Sequence, residues 1–519
     1  MSRDMTRREF ITRTGGTLLG AAAVRAMELP AHAEGEGLNI VFLMTDQQHH
    51  RTLGCAGNEL IHTPNLDRLA AEGVRFTQAF CPTPFCSPTR ASVVTGLYPH
   101  RHGQNTNVRG REHAVRSDWV TTEDMLSDRG YATGHRGKWH LGPKADFRAY
   151  RGDDEGRGYV SGYGVFQEKH SPAADYPKKP GEARAWGRPV EMTDAVVEGR
   201  KVWATLDRRP KQDISIIGRS VIPPEGLPES LMTEQTMGLL EKYRDRNFMI
   251  TCSWSPPHAL WVTSEPYYSM YDPAAMPLPD NLDICPEMYR PSVARRLGDC
   301  IGPEGIREYL RCYYGQVSFI DWNVGRILKR LEELGLADKT LVLFTADHGD
   351  MQGSHGSVGK SLPAFYDDIA RVPLLMRLPG RIRPGTVANT PVNSVDIMPT
   401  LLDYAGVPAP EGIDGRSLRR LIEGGEKEDR DRAGFCERTA HGTGAWVMRM
   451  IRQGEWKYVY RSNGFNELYH VVDDPDENVN RIEDRKCRQV VRRLHRRLRE
   501  YLVQTKEPYL DKVPQDAFA

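Results

Sequence analysis

The sequence predicts an α/β fold: a large, mostly parallel central sheet flanked by helices, followed by a smaller C-terminal α+β subdomain with an antiparallel sheet. Three observations predict it: apolar runs that end abruptly in polar residues, a helical repeat just ahead of one such run, and a change to alternating patterning near the end. In chain order, "LNIVFLMTD" ends at Asp46, and "GYATGHRGKWHLG", a shorter and weaker strand, leads into Lys138 and His140. "FMITCSW" runs into "SPPHALW" and delivers His258, and "KTLVLFTADHGD" ends at Asp347, His348 and Asp350. Unbroken apolar runs fit parallel strands covered on both faces. In "FIDWNVGRILKRLEELG", Ile320, Val324, Ile327, Leu328, Leu331 and Leu334 recur at helical spacing and Gly335 can cap the end. Helix followed by strand suggests crossover units. Ligands of such sheets bind outside the carboxyl ends of the strands, where these acids, histidines and lysine fall.

Near residue 86 the string "CSPTR" places Ser87 as an N-cap and Pro88 at the first helical position. A helix starting there aims its positive end and free N–H groups at residue 86, so an anion is favoured beside it. From about residue 425, "AWVMRMIRQ", "EWKYVYR" and "ELYHVV" read as antiparallel strands. "RQVVRRLHRRLREYL" then reads as a helix with Val491, Leu494, Leu498 and Tyr501 on one face. The predicted division is a leader at 1–33, a catalytic domain at 34–424 and the sheet-plus-helix subdomain at 425–519.

With 70 basic against 69 acidic residues, the chain has no general field for nucleic acid or an anionic membrane. The C-terminal arginines therefore read as a solvated helix face. In the leader, Arg7 and Arg8 precede Phe10 and Ile11, then comes "GGTLLGAAAV", then "AHA" at 31–33. That is the layout of a twin-arginine export signal, implying the twin-arginine translocase as a partner and a periplasmic or secreted location. No segment has the length and apolarity of a membrane span. Nine cysteines is an odd number, so at least one stays outside any intramolecular pairing. Cys55 and Cys252 read as buried thiols, and no second cysteine pair completes a zinc pattern with Cys81 and Cys86.

With these residues in place, the chain resembles the type I, formylglycine-dependent sulfatases of the alkaline-phosphatase-like superfamily. "CSPTRASVVTG" matches the family's C-x-P-x-R element, and "YPHRHG", "GKWHLG", "TADHGD", "GKSLPAFYDDIARVPLL" and "LYHVVDDPDENVN" follow in the family's order. The resemblance implies that Cys86 is oxidised to formylglycine by a formylglycine-generating enzyme. A hydrated aldehyde offers one hydroxyl to attack sulfur and a second whose deprotonation expels sulfate, an exit that serine or a thiol lacks. The resemblance also implies that Asp46, Gln47, residue 86, Asp347 and His348 hold a metal. Their mostly oxygen donors favour calcium, with manganese or magnesium as alternatives. It implies that Arg90 and Lys138 steady the hydrate, that His140 is the base, and that Lys138, His258 and Lys360 contact the sulfate, His258 or Lys360 protonating the leaving alcohol.

Two positions depart from the commonest family pattern. Gln47 stands where many members carry a second aspartate, and His348 where others carry asparagine. Both variants resemble subfamilies that include phosphonate and phosphodiester hydrolases. The expected activity is release of inorganic sulfate from a sulfated carbohydrate; the alternative keeps the same site for phosphonate monoesters or phosphodiesters. A third class, a binding protein that kept the fold and lost the chemistry, runs against the complete set of site residues. Trp261 can stack on a sugar or pack in the core, His355 is a candidate substrate contact, and His49 and His50 read as loop residues.

Overall fold

The computed structural model describes residues 37–108, 119–142, 183–185, 188–191, 217–220, 222–360, 362–424, 429, 432–439 and 446–518. The segment read as an export signal lies outside them. Seven strands form the central sheet: β1 (Asn39–Asp46), β2 (Val74–Phe76), β3 (Ala132–Gly137), β4 (Phe248–Pro257), β5 (Thr340–Ala346), β6 (Leu374–Arg377) and β7 (Thr386–Ala388). Their order is β7-β2-β6-β5-β1-β4-β3. Pairing is parallel from β5 through β1 and β4 to β3, and β6 alone runs against its neighbours β5 and β2.

The unbroken apolar runs have a direct cause. β1, β4 and β5 are buried along their whole length, because helices cover both faces. The principal helices are α1 (Pro64–Ala71), α2 (Cys86–Thr95), α3 (Pro228–Lys242), α4 (Val293–Glu333), α5 (Asp367–Ala370), α6 (Ile397–Tyr404) and α7 (Arg488–Gln504). Alternate residues of β1 serve two cores. Ile40, Phe42 and Met44 pack with Leu401 and Leu402 of α6, whereas Val41 and Leu43 pack with Leu240 of α3 and Phe319, Val324 and Ile327 of α4.

α4 is longer than its helical repeat suggests. It starts at Val293, where the Ser292 hydroxyl accepts from the Arg295 N–H, and its path breaks at Gly302 (φ 64°) just before Pro303. In the stretch that follows, Tyr309, Leu310, Cys312, Tyr313 and Tyr314 are buried, and only Arg311, paired with Glu308, keeps partial exposure. Gly335, at φ 65°, turns the chain out of the helix and into β5.

The C-terminal sheet is antiparallel, formed by β8 (Gly434–Thr439), β9 (Val447–Gln453), β10 (Trp456–Arg461) and β11 (Glu467–His470) in that order. α7 lays Val491, Leu494 and Leu498 on Ile451, Tyr458 and Leu468, while Arg488, Arg492, Arg493 and Arg496 face solvent. No helix among the described residues is long and apolar enough to cross a membrane.

Candidate active site

The strand ends converge. β1 stops at Asp46 and the chain turns at Gln47 with φ 65°, while β5 stops at Ala346 and delivers Asp347 and His348. Opposite them α2 begins. Its start corrects one expectation: Phe85 is the N-cap, Cys86 is the first helical residue, and no side chain caps the helix. The Ser87 hydroxyl instead donates to the His140 carbonyl at 2.6 Å. That bond ties the loop after β3 to the first turn of α2, beside residue 86.

One ligand atom from each of Asp46, Cys86, Asp347 and His348 lies within 4.8 Å of all the others, and all four residues are buried. His348 Nδ1 lies 2.9 Å from the Gly349 carbonyl. A carbonyl only accepts, so Nδ1 carries a proton and Nε2 is the nitrogen that faces the cluster, able to give a lone pair to a cation. Lys360 Nζ sits among these donors, 2.7 Å from Cys86 Sγ, 2.8 Å from His348 Nε2 and 3.7 Å from Asp46 Oδ1. Arg90 is fixed on three sides, with Nε donating to Asp347 Oδ2 at 2.8 Å and Nη1 donating to the Lys138 carbonyl and Ser253 Oγ, each at 2.8 Å. The Lys138 ammonium bonds Asp46 Oδ2.

Charge follows from this packing. Burial alone raises a carboxylate's pKa, but Lys138 and Lys360 hold Asp46 well below the usual range. Burial, with Asp46 close by, pushes Asp347 up. At Cys86 both burial and Asp46 oppose a thiolate, yet Lys138, Lys360 and His348 outweigh them and hold the group well below an ordinary thiol. Residue 86 therefore sits where a negative atom is stabilised, whichever atom that is.

Three sequence-predicted residues stand at the margin of this cluster. Gln47 turns its NH2 group to Asp350 Oδ2 at 2.6 Å, which leaves only its amide oxygen for a cation. Asp350 is the brace: its other oxygen accepts from Tyr309 at 2.5 Å and from the Gly359 N–H at 3.2 Å. His258 is half-buried with Nδ1 2.7 Å from the Ala259 carbonyl. His140 is placed through its backbone, as above.

Other expectations are corrected. Trp261 is 1 % exposed and edge-on to Tyr309 at 4.5 Å, so its ring packs in the core and is closed to a sugar. His355 is buried, its two nitrogens lying 2.8 Å and 3.0 Å from the Ile284 and Asp476 carbonyls, and it stacks on Tyr366; it contacts no substrate. Cys252 is a buried thiol as read, whereas Cys55 is only half-buried. Sequence reasoning passed over Ser253, which holds Arg90, and Asn107, whose Nδ2 is 3.9 Å from Cys86 Sγ and whose Oδ1 accepts the Ser87 N–H at 3.1 Å. Ser253 is a polar interruption inside an apolar strand, and that was its one visible mark.

A family model described as Sulfatase matches residues 38–407, and one described as N-sulphoglucosamine sulphohydrolase, C-terminal, matches residues 353–504. An ulvan-active sulfatase of Formosa agariphila is 29% identical over 453 residues, covering 85% of this chain and 76% of the relative. An N-acetylglucosamine-6-O-sulfatase of Bacteroides thetaiotaomicron is 27% identical over 493 residues, covering 89% and 86%. A solved structure in complex with its substrate, D-glucosamine-2-N,6-O-disulfate, matches with a TM-score of 0.72 at 22% identity over 92% of this chain and 99% of that one. The phosphonate monoester hydrolase of Agrobacterium radiobacter matches with a TM-score of 0.70 at 22% identity, covering 90% and 96%. Likeness at such identities speaks for the fold alone.

Proposed function

As a member of the sulfatase family the chain is a sulfuric ester hydrolase, and we propose that it releases inorganic sulfate from a sulfated carbohydrate, using a formylglycine made from Cys86. The observation that carries the reading is the position of Cys86, at the first turn of α2, in one buried cluster with two carboxylates, His348 and the ammonium of Lys360. The Cys86 sulfur marks the place that the oxygens of an aldehyde hydrate would take. As formylglycine, residue 86 supplies the hydroxyl that attacks sulfur and the hydroxyl whose deprotonation returns the aldehyde.

The donor set suits a divalent cation: two carboxylates and a histidine lone pair converge, with a lysine ammonium already supplying positive charge among them. Asp46, Asp347, His348 and residue 86 would hold it, with the Gln47 oxygen as a further donor, and mostly hard donors favour calcium over manganese or magnesium. Bound there, the cation would stabilise negative charge on the transferring sulfuryl oxygens. The remaining roles belong to side chains. Arg90 fixes the Asp347 carboxylate, Lys138 and Lys360 neutralise charge around residue 86, and His140 takes the proton from the second hydroxyl. Lys360 or His258 protonates the departing alcohol.

Relatives named for ulvan and for N-acetylglucosamine 6-O-sulfate support a carbohydrate substrate. The paired arginines of the leader support export by the twin-arginine route, so that the substrate is met outside the cytoplasm. The test is the mass of the Cys86 peptide from protein made with a formylglycine-generating enzyme, followed by turnover of sulfated saccharides. Aldehyde in place of thiol is expected. An unmodified thiol beside a fully converted control sulfatase would sink the reading.

Gln47 and His348 favour a second reading, phosphonate monoester or phosphodiester hydrolysis at the same site. An uncharged amide and a nitrogen donor lower the negative charge around the cation and admit a transition metal. Parallel kcat/KM measurements on an aryl sulfate and a phenyl phosphonate separate the two.

A further inference from the structure

The two histidines after β1 part company. His49 Nε2 bonds Asp368 Oδ1 at 2.9 Å. His50 is 9 % exposed, and neither of its ring nitrogens has a protein hydrogen-bond partner among the described residues. Buried polar groups are nearly always paired, so an unpartnered imidazole calls for a ligand. The ring lines a cavity of about 160 Å³ together with Arg51, Arg75, Arg371 and Thr77, and among the described residues no carboxylate lines it. That volume equals roughly five water molecules at ~30 Å³ each, enough for a small oxyanion.

The charges around the cavity do not cancel. Arg371 Nη1 meets Asp367 Oδ2 at 3.0 Å and its Nη2 bonds the Thr77 carbonyl, but its Nε is buried and unpartnered. Arg51, at the exposed mouth, meets Asp476 at 2.9 Å. Asp368 is taken by His49. Arg75 has no carboxylate partner among the described residues. It sits in β2 between Val74 and Phe76, which are both buried, and pairs across to Leu375, another cavity residue. Two arginines are each answered by an aspartate outside the cavity, and Arg75 is left as net positive charge.

We propose that this cavity is a second anion site, taking a tetrahedral oxyanion such as sulfate or a sulfate monoester. Arg75 supplies the net charge, while the His50 ring and Arg371 Nε supply N–H donors. The occupant is either free inorganic sulfate or a second sulfate group of a polysulfated substrate. The site itself does not depend on the chemistry assigned to residue 86; only the identity of its natural occupant rests on that reading.

Selenate is the probe, because selenium is located by anomalous scattering. Crystals of the full chain soaked in selenate are expected to show a selenium peak in the cavity, and R75Q and H50L should each lose it while keeping a peak at the catalytic centre. In solution, calorimetric titration with sulfate should resolve two sites, one of them weakened about tenfold by R75Q, the loss typical of one charge-assisted hydrogen bond. Water alone in the wild-type cavity overturns the proposal. So does a crystal peak with no second site in solution, which marks an adventitious ion only. Where the site is present, a KM that rises in R75Q for a disulfated saccharide but not for a monosulfated aryl ester assigns it to the substrate. Unchanged KM values for both assign it to free sulfate.

Discussion

Among the described residues two clusters of histidine and acid stand out, and by residue type they look alike. Asp46, Cys86, Asp347 and His348 form one; His100, Glu437 and Glu507 form the other, also with ligand atoms within 4.8 Å. The partners differ. In the second, His100 Nδ1 meets Glu437 Oε2 at 2.6 Å and Nε2 meets the Thr505 carbonyl at 2.9 Å, while Arg449 Nη2 holds Glu507 at 2.8 Å. Two cations answer two carboxylates, and every donor is spent on binding the YPHRHG segment to β8, β9 and the end of α7. In the first, Arg90, Lys138 and Lys360 crowd two carboxylates, and Lys138, Lys360 and His348 favour negative charge at residue 86. The same residue types fasten the fold in one place and wait for an anion in the other.

The largest effect expected from this contrast is on turnover. Cys86→Ala removes the reacting group and should lower kcat/KM on an aryl sulfate by about a thousandfold or more, with a melting temperature close to that of the parent. An activity loss of less than tenfold would mean that residue 86 does not carry the chemistry.

Glu437→Gln should do the reverse. Removing one member of a buried, hydrogen-bonded charge pair costs about 3 kcal/mol of stability, read from chemical denaturation, with kcat/KM of the folded enzyme within about twofold of the parent. A collapse of kcat/KM in well-folded protein would erase the distinction between the clusters.

The sequence makes the first cluster far more visible than the second, for physical reasons. β1 and β5 are covered on both faces, so their apolar runs are unbroken and the aspartates that end them stand out. His100 meets Glu437 of β8 and Glu507 just beyond α7 across more than three hundred residues of chain, and nothing local to any of the three marks the contact. Ser87 looked like a cap because local sequence cannot show that the His140 carbonyl claims its hydroxyl. Trp261 and His355 looked available because their exposure is decided by Tyr309 and Tyr366, residues remote from Trp261 and eleven positions from His355 respectively. The front of α4 was missed because Gly302 and Pro303 interrupt it, a pair that locally reads as the end of a helix.

The second cluster also predicts a pH effect of comparable or smaller size. Burial disfavours charge on His100, but Glu437 and Glu507 outweigh it and raise the group from 6.5 to about 9. The folded state therefore binds the proton more tightly than the unfolded chain does. The resulting stability is fully present below pH 6.5, declines as pH rises, and is lost above about 9. At 1.36 kcal/mol per pKa unit the upper bound is about 3 kcal/mol. Unfolding free energies at pH 6 and pH 9.5 should differ by less in Glu437→Gln than in the parent. Equal differences would place the titrating group elsewhere.

The smallest effect belongs to the arginines of α7, a third way charge is used here. Arg493 and Arg496 face water on the side of α7 turned away from the C-terminal core, and unlike the arginines of the two clusters they are not buried against carboxylates. Exposed charges of this kind contribute little. Arg493→Ala with Arg496→Ala should leave stability within about 0.5 kcal/mol of the parent, leave kcat/KM unchanged, and reveal no salt-dependent binding of duplex DNA in either protein. The near-neutral whole chain supplies no field to assist such binding. DNA affinity that fell steeply with salt in the parent, and disappeared in the double variant, would show that the arginine face is an interaction surface after all.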